Sequence, residues 1–216
     1  MQQILVYADS LSWGLIPGTR QRLPFAARWP GVMELALNAA GSQARVIEDC
    51  LNGRRTVHED PFKAGRNGLA GLAQRIEIHS PLALVILMLG TNDFQSMHAH
   101  DAWHAALGIQ ALVGAIRGAP IEPGMPVPLV VVVAPPALQE AAGPIARKFG
   151  GAARRASGLA AAYREISAGL GCPFFDAGAH VTTSRIDGIH LDTDQHLILG
   201  AALAGFVATL PGLTQA

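Results

Sequence analysis

Cysteine is scarce in this chain: Cys50 and Cys172 are the only two in 216 residues. Two isolated thiols supply neither a disulfide framework nor a thiolate metal site, and both are expected to be buried and free. Aromatic residues make up only 6% of the chain and charged residues 15%. Sixteen basic residues against sixteen acidic ones leave no net charge, which argues against nucleic acid as a partner, since that needs a basic surface excess. The pairs Arg54-Arg55 and Arg154-Arg155 read as solvated surface. Long apolar runs are lacking too. The longest, around Leu82–Leu89 and Leu129–Ala134, fall far short of a bilayer-spanning helix. Met1-Gln2-Gln3 leads straight into a strand-like run with no basic or apolar leader, so the expectation is a cytoplasmic protein with no membrane partner. Several motifs are missing as well. The absence of Gly-x-Ser-x-Gly disfavours the lipase-type α/β-hydrolases. The absence of Gly-x-Gly-x-x-Gly, a Walker loop and His-Glu-x-x-His removes the commonest nucleotide and zinc-protease readings.

What is present is a large core: half of the residues are hydrophobic, enough for one domain over residues 1–216. Strand-like runs at Gln3–Tyr7, Ala44–Glu48, Leu82–Met88, Leu129–Val133 and Pro173–Phe175 alternate with helix-like segments. The helices are expected at Trp29–Ala40, Asn67–His79, Asp101–Gly118, Gly151–Leu170 and Asp192–Leu210. The third and fourth strands are unbroken apolar runs, as in strands buried on both faces of a helix-covered parallel sheet. The pattern predicts a single-domain α/β fold, a doubly wound five-stranded parallel sheet with helices on both faces, of flavodoxin-like type. Repeats and domain linkers are missing; Pro120–Pro128, with four prolines and a glycine, reads as a loop into the fourth strand.

The chemistry-bearing residues gather in the turns after the strands. The first strand ends in Asp9-Ser10, the second leads into Asn52-Gly53, the third ends in Gly90-Thr91-Asn92-Asp93, and Asp187-Gly188-Ile189-His190 precedes the last helix. In an open α/β sheet these ends share one edge, where ligands bind. Acyl transfer from an ester needs a nucleophile, a base, a group orienting the base, and donors aimed at the developing oxyanion. Ser10 can be the nucleophile. Of eight histidines His190 is the best base, because Asp187 lies three residues before it on a glycine-containing turn. The N–H of Gly53, the Asn92 carboxamide and the N–H of Ser10 are candidate oxyanion donors, each typically worth about 2.7–4 kcal/mol of transition-state stabilisation. Taken one at a time, each has a plainer reading: Asp9, Ser10, Asn92 and Asp93 as helix caps, Asn52-Gly53 as an ordinary turn. Capping alone does not readily yield all of them in order, each after a strand of one sheet. His98, His100, Asp101 and His104 form one metal-like cluster. No second pair of ligands has comparable spacing, so a solvated helix start is expected there and no metal.

Ala8-Asp9-Ser10-Leu11, Asn52-Gly53, Gly90-Thr91-Asn92-Asp93 and Asp187-Gly188-Ile189-His190 resemble the four blocks of the SGNH (GDSL-type) hydrolases. Ser10-Leu11-Ser12-Trp13-Gly14, the segment Leu87–Asp93, and Pro173–Gly178 ahead of Asp187–His190 look most like the bacterial arylesterase and acyltransferase branch. That branch is noted for perhydrolysis and transesterification in water. The resemblance implies a serine esterase with Ser10, Asp187 and His190 as triad, and Ser10, Gly53 and Asn92 as oxyanion hole. It also implies acyl transfer to alcohols or peroxide besides water, and assembly into homo-oligomers. No cofactor is required. The chain departs from the family at Ala8, where glycine is usual. A methyl group there crowds the turn only if the backbone needs positive φ.

The residues flanking the catalytic turns, Leu11, Trp13, Leu51, Phe94 and Ile189, are expected to wall a confined apolar acyl site that takes a short chain such as acetyl or butyryl. Three alternatives stand beside this reading. A carbohydrate deacetylase would use the same triad in a more polar, open cleft. A lysophospholipase or thioesterase would need a longer acyl channel. A flavodoxin-like binding module would share the strand and helix pattern with an unreactive Ser10.

Overall fold

Side chains alternate between the two faces of a strand, and the run Ile4–Ala8 shows the consequence. Leu5 and Tyr7 enter one apolar core, whereas Ile4, Val6 and Ala8 enter another on the opposite face. A strand covered on both sides has no place for polar residues, hence the unbroken apolar runs. The computed structural model describes residues 1–213.

Strands β1 (Gln2–Ala8), β2 (Ala44–Cys50), β3 (Leu84–Met88), β4 (Leu129–Ala134) and β5 (Phe174–Asp176) form one parallel sheet in the order β2-β1-β3-β4-β5. The helices are α1 (Ser10–Trp13), α2 (Trp29–Ala39), α3 (Leu72–His79), α4 (Ala102–Arg117), α5 (Ala152–Arg155), α6 (Leu159–Leu170) and α7 (Thr193–Val207). Trp29 and Met33 of α2 join Leu199 and Leu203 of α7 in the core on one face. Ile76 of α3, Ile109 and Val113 of α4 and Tyr163 of α6 fill the other. The result is the single-domain, doubly wound α/β fold expected from the alternation of elements. Its strand order reverses between β1 and β3, the switch point where such sheets place their ligands. Ala8 pairs with Cys50 on one side and Met88 on the other, so β1, β2 and β3 end together. No described helix is long and apolar enough to cross a membrane.

Several boundaries differ from the sequence expectation, and glycine explains two of them. The helix expected over Asn67–His79 starts at Leu72. Gly68 is pressed against the Arg55 and Thr56 carbonyls, where a Cβ would lie 2.5 and 2.7 Å away, so this segment packs as a loop. The single helix expected over Gly151–Leu170 is two, because Gly158 adopts a left-handed conformation (φ 82°) that interrupts the ladder before α6. β3 begins at Leu84, β2 continues to Cys50, and α7 spans Thr193–Val207, end shifts of the usual size. Both cysteines are free thiols, Cys172 buried and Cys50 only half-buried. Ala8 closes β1 in extended conformation, its methyl group in the core; among the described residues only glycines have positive φ. Alanine therefore does not crowd the turn.

Candidate active site

Asp9 follows β1 and folds back as the N-cap of α1, its Oδ1 accepting the Leu11 N–H at 3.0 Å. The capping reading thus applies to Asp9. The cap holds Ser10 at the first position of α1, above the sheet edge, and among the described residues its own N–H has no acceptor. From the far end of the chain, the segment 184–190 closes on itself. Ser184 N–H donates to the His190 carbonyl at 2.7 Å, and Gly188 N–H to the Ser184 carbonyl at 2.8 Å. Within it, Asp187 Oδ1 accepts the N–H groups of Ile189 and His190, both at 2.9 Å. This leaves Oδ2 for the imidazole: His190 Nδ1 lies 2.7 Å from it, and His190 Nε2 lies 3.1 Å from Ser10 Oγ.

The sequence-predicted Ser10, His190 and Asp187 are therefore in contact, in relay order, across 180 positions of chain. All three are buried. Burial alone would push the Asp187 carboxyl up, but the hydrogen bonds and charge of His190 overcome it and hold the group down at about 2. The carboxylate is thus charged at neutral pH. His196, on the neighbouring helix α7, differs: burial, with the charges of His190 and Arg28, lowers it to about 4, so it is neutral at neutral pH. Its Nδ1 accepts the Trp29 N–H at 3.3 Å, a structural contact.

Ser10 and His190 open onto a cavity of about 80 Å³ together with Gly53 and Asn92. Gly53 adopts φ 85° in its Asn-Gly turn. Like that of Ser10, its N–H has no acceptor among the described residues. Asn92 is held more tightly. Gln95 Nε2 donates to its Oδ1 at 2.8 Å, so its Nδ2 faces the Asp9 Oδ2 at 3.0 Å and the Arg54 carbonyl at 3.2 Å. The chain of bonds continues outward, because Arg55 Nη2 donates to Gln95 Oε1 at 2.6 Å and Nη1 meets Asp60 at 3.0 Å. Asn92 can serve a new acceptor by releasing its longer bond, to Arg54. Burial raises the Asp9 carboxyl to about 6, against the pull of the Leu11 N–H, His190 and Asn92.

The expected wall residues are not where the sequence reading put them. Leu11, Phe94 and Ile189 point into the two apolar cores and do not line the cavity. Trp13 is half-buried beneath the Arg22 guanidinium, 4.9 Å from its ring centre, and Leu51 is half-buried beside the cavity without facing it. The reason is geometric: a neighbour in sequence points away from the functional side chain. The actual lining adds Leu15, Ile145 and Phe149 as apolar groups and Arg20, Asp60, Lys63 and Lys148 as charged ones. Leu15 directly follows α1, its N–H on the Ser10 carbonyl at 3.3 Å, whereas the others come from connecting segments whose composition carried no signal.

At the predicted metal-like cluster, Asp101 caps α4 by accepting the His104 N–H at 3.2 Å. His100 stacks on His58 with ring centres 3.7 Å apart, a partner the spacing did not suggest. Among the described residues no group of three or more His, Cys, Asp or Glu is arranged to hold a metal ion.

Comparison with known proteins identifies the family. The GDSL-like lipase/acylhydrolase family model matches residues 9–198. The native aryl esterase of Mycobacterium smegmatis is 35% identical, with a TM-score of 0.91, over 97% of this chain and 100% of that one. Est24, a carbohydrate acetylesterase from Sinorhizobium meliloti, is 36% identical with a TM-score of 0.90, over 96% of this chain and 99% of that one. A lipase/acylhydrolase from Enterococcus faecalis, 16% identical with a TM-score of 0.69, shares the fold. No curated protein sequence matches. With its family model spanning most of the chain, this protein belongs to the GDSL-like lipase/acylhydrolases and is a carboxylic ester hydrolase of SGNH type.

Proposed function

We propose that the enzyme cleaves short-chain acyl esters, acetyl esters foremost, through a Ser10–His190–Asp187 triad and a covalent acyl-enzyme. The relay carries this reading: Ser10 Oγ is 3.1 Å from His190 Nε2, and His190 Nδ1 is 2.7 Å from Asp187. As Ser10 Oγ attacks the ester carbonyl, Nε2 takes its proton, and the Asp187 carboxylate stabilises the imidazolium and fixes its orientation. The carbonyl oxygen becomes an oxyanion, met by the N–H groups of Ser10 and Gly53 and by the Asn92 amide once it turns from Arg54. Collapse expels the alcohol, which takes the proton from His190. Water, an alcohol or peroxide then repeats the sequence on the acyl-enzyme and frees Ser10.

The cavity of about 80 Å³ is well below the about 300–1,000 Å³ that encloses a drug-sized ligand. An acetyl group fits that space better than a long acyl chain, and Leu15, Ile145 and Phe149 supply its apolar contacts. Deacetylation of carbohydrates is the second reading, favoured by the similarity to Est24 and by the charged rim.

A fluorophosphonate probe tests the mechanism. We expect one label per chain, mapped to the peptide carrying Ser10, and none in Ser10→Ala or, at comparable times, in His190→Ala. Labelling elsewhere, or unchanged rates of phenyl acetate hydrolysis in Ser10→Ala, would overturn the assignment.

A further inference from the structure

Around the Ser10 cavity the chain gathers three cations from three separate segments. Arg20 comes from the loop after α1, Lys63 from the loop after β2, and Lys148 from the segment between β4 and α5. Among the described residues none of their side chains forms an ion pair or donates a hydrogen bond. The one carboxylate lining the cavity with them, Asp60, is already committed: it meets Arg55 Nη1 at 3.0 Å and accepts the Phe62 N–H at 2.9 Å. Arg66 adds a fourth positive group beside the Gly53 turn, its Nε bonded to the Asn52 carbonyl at 3.1 Å. These charges feel one another. Partial desolvation at the cleft lowers the Lys148 ammonium from its ordinary range, although the residue as a whole is exposed; Asp60 opposes that, and Arg55, Lys63 and Arg20 lower it further.

Assembling unpaired like charges at one cleft works against folding, and it builds a positive potential that draws in anions. The depth of the groups tells which part of a substrate feels it. Ser10, Asn92 and His190 are buried at the floor, whereas Arg20, Lys63 and Lys148 are exposed at the rim. A short acyl group occupies the floor, so the alcohol half of the ester lies among the cations. We infer that the enzyme selects esters whose alcohol or phenol half carries an anionic group, with Arg20, Lys63 and Lys148 as its specificity-determining side chains. This rests on the Ser10 esterase reading.

The test compares kcat/KM for phenyl acetate, 4-acetoxybenzoate and 4-acetoxyphenyltrimethylammonium, each divided by its rate of spontaneous alkaline hydrolysis. At low ionic strength the anionic ester should lead the neutral one by at least about 10-fold, and the cationic ester should trail. The lead should shrink severalfold at about 0.5 M salt, where screening acts within about a few ångströms. In the triple variant Arg20→Gln, Lys63→Gln, Lys148→Gln it should fall towards one, chiefly through KM. Lys148→Gln alone should reduce it in part, which covers a triple variant that folds poorly. Equal corrected rates for the three esters, or an anion preference indifferent to both salt and Lys148→Gln, overturn this inference alone. Loss of Ser10-dependent turnover on all three esters overturns the esterase reading, and this inference with it.

Discussion

Asp187 divides its work between two oxygens. Oδ1 holds the backbone of its own loop through the Ile189 and His190 N–H groups, and Oδ2 faces the imidazole at 2.7 Å. Substituting asparagine separates these tasks. In Asp187→Asn the amide oxygen can keep the backbone bonds while Nδ2 turns to His190 Nδ1. It then offers a donor where an acceptor stood, and the imidazole is driven to the tautomer whose Nε2 cannot take the Ser10 proton. By the reasoning established for serine-protease triads, kcat should fall by about 10⁴-fold with little change in KM. Steady-state hydrolysis of phenyl acetate measures this. A loss under tenfold would mean that the carboxylate charge contributes little. The oxyanion donors proposed at Ser10 and Gly53 need no comparable device, because they are backbone N–H groups fixed by the chain itself.

The 184–190 loop behaves as one element, and its geometry depends on Gly188. This residue adopts φ 77°, and a Cβ there would lie 2.4 Å from the Glu140 carbonyl. The neighbouring loop is docked against it, with Gln139 N–H on the Gly188 carbonyl at 2.9 Å and Ala142 N–H on that of Asp187 at 3.1 Å. In Gly188→Ala the backbone strain costs about 1–3 kcal/mol, and relief requires the loop to shift. The expected result is a lower denaturation midpoint together with slower fluorophosphonate labelling of Ser10; unchanged labelling would show that the loop tolerates the methyl. Elements like this were partly legible in the sequence. The apolar runs of β3 and β4 announced a covered parallel sheet, and the turns after the strands announced where Ser10, Asn92 and His190 would meet. Helix breaks at Gly68 and Gly158 were hidden, since glycine inside an apolar-periodic segment reads equally as helix or turn. The cavity walls were hidden more deeply. Leu11 and Ile189 adjoin Ser10 and His190 in sequence yet point into opposite cores, whereas Phe149 and Arg20 reach the cavity from loops whose paths no local pattern encodes.

Across the whole molecule, the same edge of the sheet collects buried titratable groups whose effects on stability oppose one another. Burial raises Asp93 to about 7, although two bonds from Thr56, at 2.9 and 2.5 Å, and the Arg55 charge pull the other way. Asp9 is raised to about 6 by the same cause. A carboxyl raised in the folded state contributes stability at acid pH. That contribution is lost as pH climbs from the unfolded value, near 4, through the folded one, because the unfolded chain has released a proton that the native state keeps. His58 and His196 do the reverse. Burial lowers both to about 4, and the neighbouring imidazoles add to this at His58, so their contribution grows over much the same pH interval. His58 is thus neutral at pH 7, and its approach to Asp93 at 4.0 Å is not an ion pair there. The two pairs oppose each other over this range, and His98 and His100, lowered chiefly by burial, act in the same sense as His58 and His196. Removing one member exposes the balance. Asp93→Asn keeps an acceptor for the Thr56 N–H but has no proton to lose. Relative to the parent protein it should therefore gain roughly 2–4 kcal/mol as pH rises from 4 to 7, at about 1.4 kcal/mol per unit of pKa difference. Urea midpoints of both proteins at each pH give this difference, since titrating groups remote from Asp93 cancel between them. A constant difference across that range would mean that Asp93 is ionised in the folded protein throughout.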